Sequence, residues 1–94
     1  MGQYVYILRC SDGSLYVGHT QDLASRIDLH NRGAAAKWTA ARRPVSLVYE
    51  EQHPSEQRAI ERERQLKHWS RQKKQALVSG DLADLKGLAK RRKP

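Results

Sequence analysis

The stretch Tyr4-Val5-Tyr6-Ile7-Leu8-Arg9, continuing through Ser11-Asp12-Gly13-Ser14 into Leu15-Tyr16-Val17-Gly18-His19, decides the fold. Its first segment is aromatic and β-branched, a composition that suits a pleated, half-buried surface, and it predicts a strand. Asp12-Gly13 supplies the dipeptide that a tight hairpin favours, so Leu15 to His19 is expected to return antiparallel. A period of two places Tyr4, Tyr6 and Leu8 on one face of the first strand, and Tyr16 and Gly18 on one face of the second. Tyr6 and Tyr16 are then candidate cross-strand neighbours. Such a pair is ordinary sheet packing. Gly18 is less ordinary, because glycine weakens a strand and is expected where a backbone or a ligand comes close.

Beyond the hairpin, Thr20 is expected to cap a helix that opens with Gln21-Asp22, runs to about Asn31 and stops at Gly33. Ala34 to Arg43 has room for a short helix ended by Pro44, which disfavours helical backbone at Arg43. Val45 to Glu50 predicts a third strand with Val45, Leu47 and Tyr49 on one face. Pro54-Ser55-Glu56 opens a long helix from Ser55 to about Trp69, and Ser70 caps another that closes at Gly80. Asp81 is placed to cap a last helix, with Leu82, Leu85 and Leu88 as a narrow apolar stripe, ahead of the basic tail Lys90-Arg91-Arg92-Lys93-Pro94. The order β-β-α-β-α-α describes an α+β fold, a small three-stranded antiparallel sheet flanked by helices. Residues 1–80 are expected to form its body. Residues 81–94 are expected to add a terminal helix and basic tail to the same domain.

A chain of 94 residues holds one small core. Its formal net charge of +8 predicts an anionic partner, nucleic acid ahead of a membrane surface. No apolar run is long enough for a membrane span, and the start Met1-Gly2-Gln3-Tyr4 lacks the regions of a secretion signal. The lone Cys10 cannot form an internal disulfide, which agrees with a cytoplasmic, nucleoid-associated protein. No membrane and no small-molecule cofactor is expected, and the oligomeric state is left open.

Two helices carry charge where packing does not ask for it. In the first, Leu23 and Ile27 form the apolar stripe, and Arg26 and His30 lie beside it. A guanidinium there needs an anion or water. In the second, Glu63 lies one turn after Ala59 and three residues before Leu66, in the middle of the apolar side. A half-buried carboxylate is stabilised either by a base such as Arg26 or by a divalent cation. His19, just past Gly18, reads as a surface turn residue that could also touch phosphate.

Together these features resemble the GIY-YIG nuclease superfamily, and in particular its small single-domain bacterial subgroup. Tyr4-Val5-Tyr6 stands where Gly-Ile-Tyr is usual, and Tyr16-Val17-Gly18 where Tyr-Ile-Gly is usual. Arg26 and His30 match the Arg-x-x-x-His of the family's first helix, Gly33 to Lys37 its Gly-Ala-Lys segment, and Glu63 with Lys67 its Glu-x-x-x-Lys. The resemblance spans Tyr4 to about Val78. It departs at Tyr4, where the family has glycine, and over Arg71 to Leu77, where several members carry an asparagine and this chain has Lys73, Lys74 and Gln75 instead. It implies a metal-dependent DNA endonuclease, structure-selective for branched or single-stranded DNA, in repair or recombination. Tyr6, Tyr16, Arg26, His30 and Glu63 would form its site. By the resemblance, Glu63 holds Mg²⁺ or Mn²⁺, Arg26 clamps a phosphate oxygen, and Tyr16 or His30 takes the proton of the attacking water, with Tyr6 in support. Lys37, Arg42, Arg43, Lys67, Arg71, Lys73 and Lys74 would meet the phosphate backbone, and Trp38 is placed either to stack a base or to pack on a helix. The alternatives are an inactive nucleic-acid-binding module on the same fold and a basic RNA- or ribosome-associated protein.

Overall fold

The computed structural model describes residues 2–80. They form β1 (Gln3–Arg9), β2 (Leu15–Thr20), α1 (Leu23–Asn31), α2 (Lys37–Ala40), β3 (Ser46–His53), α3 (Glu56–Lys67) and α4 (Arg71–Ser79). The helix expected from Asp81 and the basic tail lie outside the described residues.

The hairpin folds as its sequence asks. Gly13 adopts φ 85, and the Cys10 amide donates to Ser14 O while the Gly13 amide donates to Cys10 O, both at 2.9 Å. β1 pairs antiparallel with β2 on one side and with β3 on the other, in the order β2-β1-β3. The first strand in sequence is therefore the middle strand of the sheet, and Val5, Tyr6, Ile7 and Leu8 are all fully buried.

Helices cover both faces. Val5, Ile7 and Val17 pack with Ala59 and Leu66 of α3 and Leu77 of α4. Tyr6, Leu8, Cys10 and Val45 pack on the opposite face with Tyr16 and with Leu23 and Ile27 of α1. Alternation along β1 thus feeds two cores, one on each side of a thin sheet.

Local chemistry sets the helix limits. Ser55 and Ser70 cap α3 and α4 by accepting the amides of Arg58 and Lys73. Gly80 closes α4 in the left-handed region at φ 72. Thr20, expected as the first cap, belongs instead to β2, and Asp22 caps α1 by accepting Ser25 N at 3.1 Å. Thr20 Oγ1 accepts the Asp22 amide and so holds the cap in place. The third strand also differs from expectation. A register shift between Ile7 and Leu8 breaks the alternation, so Val45 joins the core under α1 while Tyr49 packs in the core under α3. Pairing continues to His53 because Glu51 is held by Tyr49, His53 and Arg62. A polar run that resembles a loop is thereby tied to α3.

Candidate active site

Tyr6 anchors the site from the middle strand. It lies opposite Gly18, and Tyr16 lies opposite Leu8, so the two tyrosines are diagonal neighbours on one face rather than a direct pair. The Tyr6 ring crosses Gly18 so closely that a Cβ there would stand 2.5 Å from the hydroxyl oxygen. Gly18 is therefore explained by the tyrosine itself, not by a backbone or ligand.

The Tyr6 hydroxyl meets His30 Nε2 at 2.9 Å, and His30 Nδ1 meets Thr39 Oγ1 at 2.8 Å. These three side chains are 1 %, 1 % and 0 % exposed. Thr39 Oγ1 donates to Ala36 O and so accepts from His30 Nδ1, which leaves Nε2 bare to accept from the Tyr6 hydroxyl. Tyr6 therefore donates, the hydrogen of the imidazole resides on Nδ1, and Thr39 Oγ1 accepts it while donating to Ala36 O at 3.1 Å. Burial and the Arg26 charge hold His30 below the ordinary imidazole pKa, so it is neutral at neutral pH. Burial, with Tyr16 adding to it, pushes Tyr6 up to about 12, and the Arg26 guanidinium beside the phenol works against that rise. His30 lies behind Tyr6, so it does not meet solvent or a phosphate directly.

Tyr16 is half-buried. It meets the His30 ring edge-on at 5.1 Å and stacks with Trp38 at 6.0 Å and 25°. Trp38 is 39 % exposed and carries the Arg42 guanidinium 4.1 Å from its ring centre. It packs between Tyr16 and Arg42 while staying partly exposed.

Glu63 approaches from the opposite helix layer. Its partners are His19 and Lys67 rather than Arg26: Lys67 Nζ lies 2.8 Å from one carboxylate oxygen, and His19 Nδ1 meets the other. Burial raises the carboxyl pKa, but the hydrogen bonds from Lys67 and His19 outweigh it and hold the group below its ordinary value. The pairing with Glu63 in turn raises Lys67, whose ammonium stands 5.9 Å over the Tyr16 ring. Glu63 thus stays ionised beside a cleft of about 320 Å³ lined by His19, Ile60, Glu63, Arg64 and Lys67. A second cleft of about 280 Å³ opens on the other side of His19, walled by Thr20, Asp22, Arg26 and Glu56 among others.

The sheet edge at β2 thus gathers Tyr6, Tyr16, Arg26, His30 and Glu63. The sequence missed Thr39, and it placed His19 in the return strand without its contact with Glu63. Alternation could have found it, because His19 shares a face with Val17, which packs against α3. Among the basic residues, Lys67 and Arg42 stand at the site and Lys37 is exposed on α2. Arg43 ties Ala40 O and Asn31 O, Arg71 donates to Gly13 O, and Lys73 lies over Trp69 on the other face of the sheet. Among the described residues no group of three His, Cys, Asp or Glu is arranged to hold a metal ion, and no helix is long and apolar enough to cross a membrane.

The model of the GIY-YIG catalytic domain matches residues 2–76. The chain belongs to the GIY-YIG family. Within it, the chain is similar to a UPF0213 protein of Staphylococcus aureus, 49% identical over 75 residues that make up 80% of this chain and 92% of the relative. Its fold is similar to the solution structure of the UPF0213 protein BH0048 from Bacillus halodurans, with TM-score 0.55, 48% identity and 84% of each chain covered. It is also similar to the protein EF2693 from E. faecalis, with TM-score 0.58, 38% identity and 87% and 88% of the two chains covered. The GIY-YIG family is a family of nucleases, generally dependent on a divalent metal, so membership implies a nucleic acid as the substrate.

Proposed function

We propose that this GIY-YIG chain is a divalent-metal-dependent endonuclease that hydrolyses phosphodiester bonds in DNA, selecting branched or single-stranded substrates by shape and serving repair or recombination. What supports the reading most is that Tyr6, Arg26, His30 and Glu63, drawn from β1, α1 and α3, stand about one sheet edge with Tyr16 of β2. A single carboxylate completed by water and phosphate is a normal magnesium arrangement. Glu63 suits it, being ionised, beside a cleft, and with more lone pairs than its contacts with His19 and Lys67 use. Mg²⁺ or Mn²⁺ held there would neutralise the charge that grows on a non-bridging phosphate oxygen.

Arg26 clamps a second phosphate oxygen, a task that suits its planar fork of donors. Tyr16 orients the attacking water. Tyr6 and His30 act as a pair: the water proton passes to the Tyr6 oxygen as the Tyr6 proton passes to His30 Nε2, and the hydroxide formed attacks phosphorus. Neither partner ionises at rest, since Tyr6 is pushed up to about 12 and His30 is held low, so the two transfers are concerted with attack. The leaving oxygen takes its proton from solvent, and the proton on His30 returns through Tyr6 to solvent, which resets the pair. Lys67, Lys37 and the Arg42–Trp38 platform meet the strand without reading its sequence. The same reading places the reaction in the cytoplasm, at the nucleoid, where the lone Cys10 thiol stays reduced.

The test is a cleavage panel on branched, single-stranded and duplex DNA with and without Mg²⁺ or Mn²⁺. Glu63→Ala and Arg26→Ala are expected to abolish nicking while DNA binding stays within a few fold. Cleavage without metal, or by the Glu63→Ala protein, overturns the mechanism. Binding without cleavage under every condition marks an inactive nucleic-acid-binding module instead.

A further inference from the structure

We propose that Thr39 is a positioning residue for catalysis, one that fixes the tautomer of His30 and so aims the proton of Tyr6 away from the cleft. The inference rests on the nuclease reading above for its catalytic consequence, but its structural half stands on hydrogen-bond geometry alone.

An imidazole at this depth can carry its hydrogen on either nitrogen, and the two choices give Tyr6 opposite properties. With hydrogen on Nδ1, His30 Nε2 is bare, the Tyr6 hydroxyl points at it, and the phenol oxygen keeps its lone pairs for Arg26 and the cleft side. With hydrogen on Nε2, His30 donates to Tyr6, and the Tyr6 hydrogen must turn toward the cleft. The phenol can then give a proton but not pass one inward. Thr39 decides between these states. Its hydroxyl donates to Ala36 O at 3.1 Å, which turns an oxygen lone pair toward His30 Nδ1 at 2.8 Å and so requires a hydrogen there.

Three features suit Thr39 to this task. It is 0 % exposed, so no water competes for the imidazole. It lies on α2, whose Ala36 provides both the helix start and the hydroxyl's acceptor. Its oxygen also supports Nδ1–H when Nε2 is protonated, so the imidazolium formed during attack keeps its partner. An imidazole held in the wrong tautomer loses most of its catalytic effect even where the geometry is intact.

The experiment compares Thr39→Val, which keeps the shape and removes both hydrogen-bonding functions, with Thr39→Ser, which restores them. In wild-type protein, ¹⁵N NMR of the His30 ring is expected to show Nδ1–H with bare Nε2. Thr39→Val is expected to shift His30 toward Nε2–H or a mixture. It should also lower kcat on branched or single-stranded DNA by about 10- to 100-fold with KM unchanged, and Thr39→Ser should recover both readouts. A wild-type His30 protonated on Nε2 overturns the proposal, and this measurement stands even if Thr39→Val does not fold. A Thr39→Val protein with the wild-type tautomer overturns it too, as does Thr39→Ser failing to restore the tautomer. Absence of cleavage by wild-type protein would count against the nuclease reading, while the ring spectra would still decide what Thr39 does.

Discussion

Single atoms decide the shape of this site. Gly18 is the clearest case, because a methyl group there would occupy the place of the Tyr6 hydroxyl. Tyr6 is an inflexible, fully buried ring in the central strand, so it yields poorly. Gly18→Ala is expected to cost about 1–3 kcal/mol of stability and to break the Tyr6–His30 hydrogen bond. Urea denaturation and the His30 ring ¹⁵N spectrum check the two effects. An alanine protein with wild-type stability and an unchanged spectrum would show that the ring has another place to go. The sequence marked Gly18 as odd but not what it faced, since a strand pattern gives the face of a residue and not the reach of a side chain on the neighbouring strand. It likewise ranked Tyr16 and His30 as rival bases. The arrangement joins His30 to Tyr6, a contact spanning 24 positions that helix periodicity cannot reveal.

At the scale of elements, the parts encoded locally were legible and those set by distant partners were not. The Asp12-Gly13 turn, the Ser55 and Ser70 caps and the Gly80 stop all depend on neighbours within a few residues, and each is found where the sequence puts it. The register shift between β1 and β3 and the continuation of β3 to His53 depend on pairings across tens of residues, and the first cap moved to Asp22 because pairing with Tyr4 draws Thr20 into β2. Glu51 is the joint that lengthens β3. Burial raises its pKa, but hydrogen bonds from Arg62, Tyr49 and His53 hold it below the ordinary carboxylate value of 4.5. A lowered folded-state pKa means that the stabilisation is present above 4.5 and fades as pH falls through the folded value. Unfolding free energy is therefore expected to decline as pH falls below 4.5, and less steeply in Glu51→Gln. Equal slopes in urea titrations of the two proteins would remove Glu51 from the account. Glu63 meets His19 across 44 positions, which is why Glu63 and its neighbour one turn on, Lys67, were recognisable in the sequence while the His19 contact was not.

For the molecule as a whole, two cores share one thin sheet, and each contains a tyrosine whose ionisation is suppressed. Burial pushes Tyr6 and Tyr49 up to about 12, and Tyr49 rises further through its hydrogen bond to Glu51. A raised folded-state pKa gives stabilisation that is complete below the ordinary value of 10.0 and lost as pH climbs toward 12. Urea resistance is expected to drop over that interval. Phenolate absorbance should show late titration steps that Tyr6→Phe and Tyr49→Phe each remove. Ionisation of both groups near pH 10 in the folded protein would contradict the burial of the two rings. The strand order has a further consequence for how the chain assembles. Gln3 pairs with His53, so the middle strand is made first and its second neighbour some fifty positions later. While the chain is being synthesised, the β1–β2 hairpin can close early, but one side of its central strand stays unpaired until β3 is made. The interval is a window of exposure for the most apolar segment of the protein, and it ends only when β3 closes the sheet.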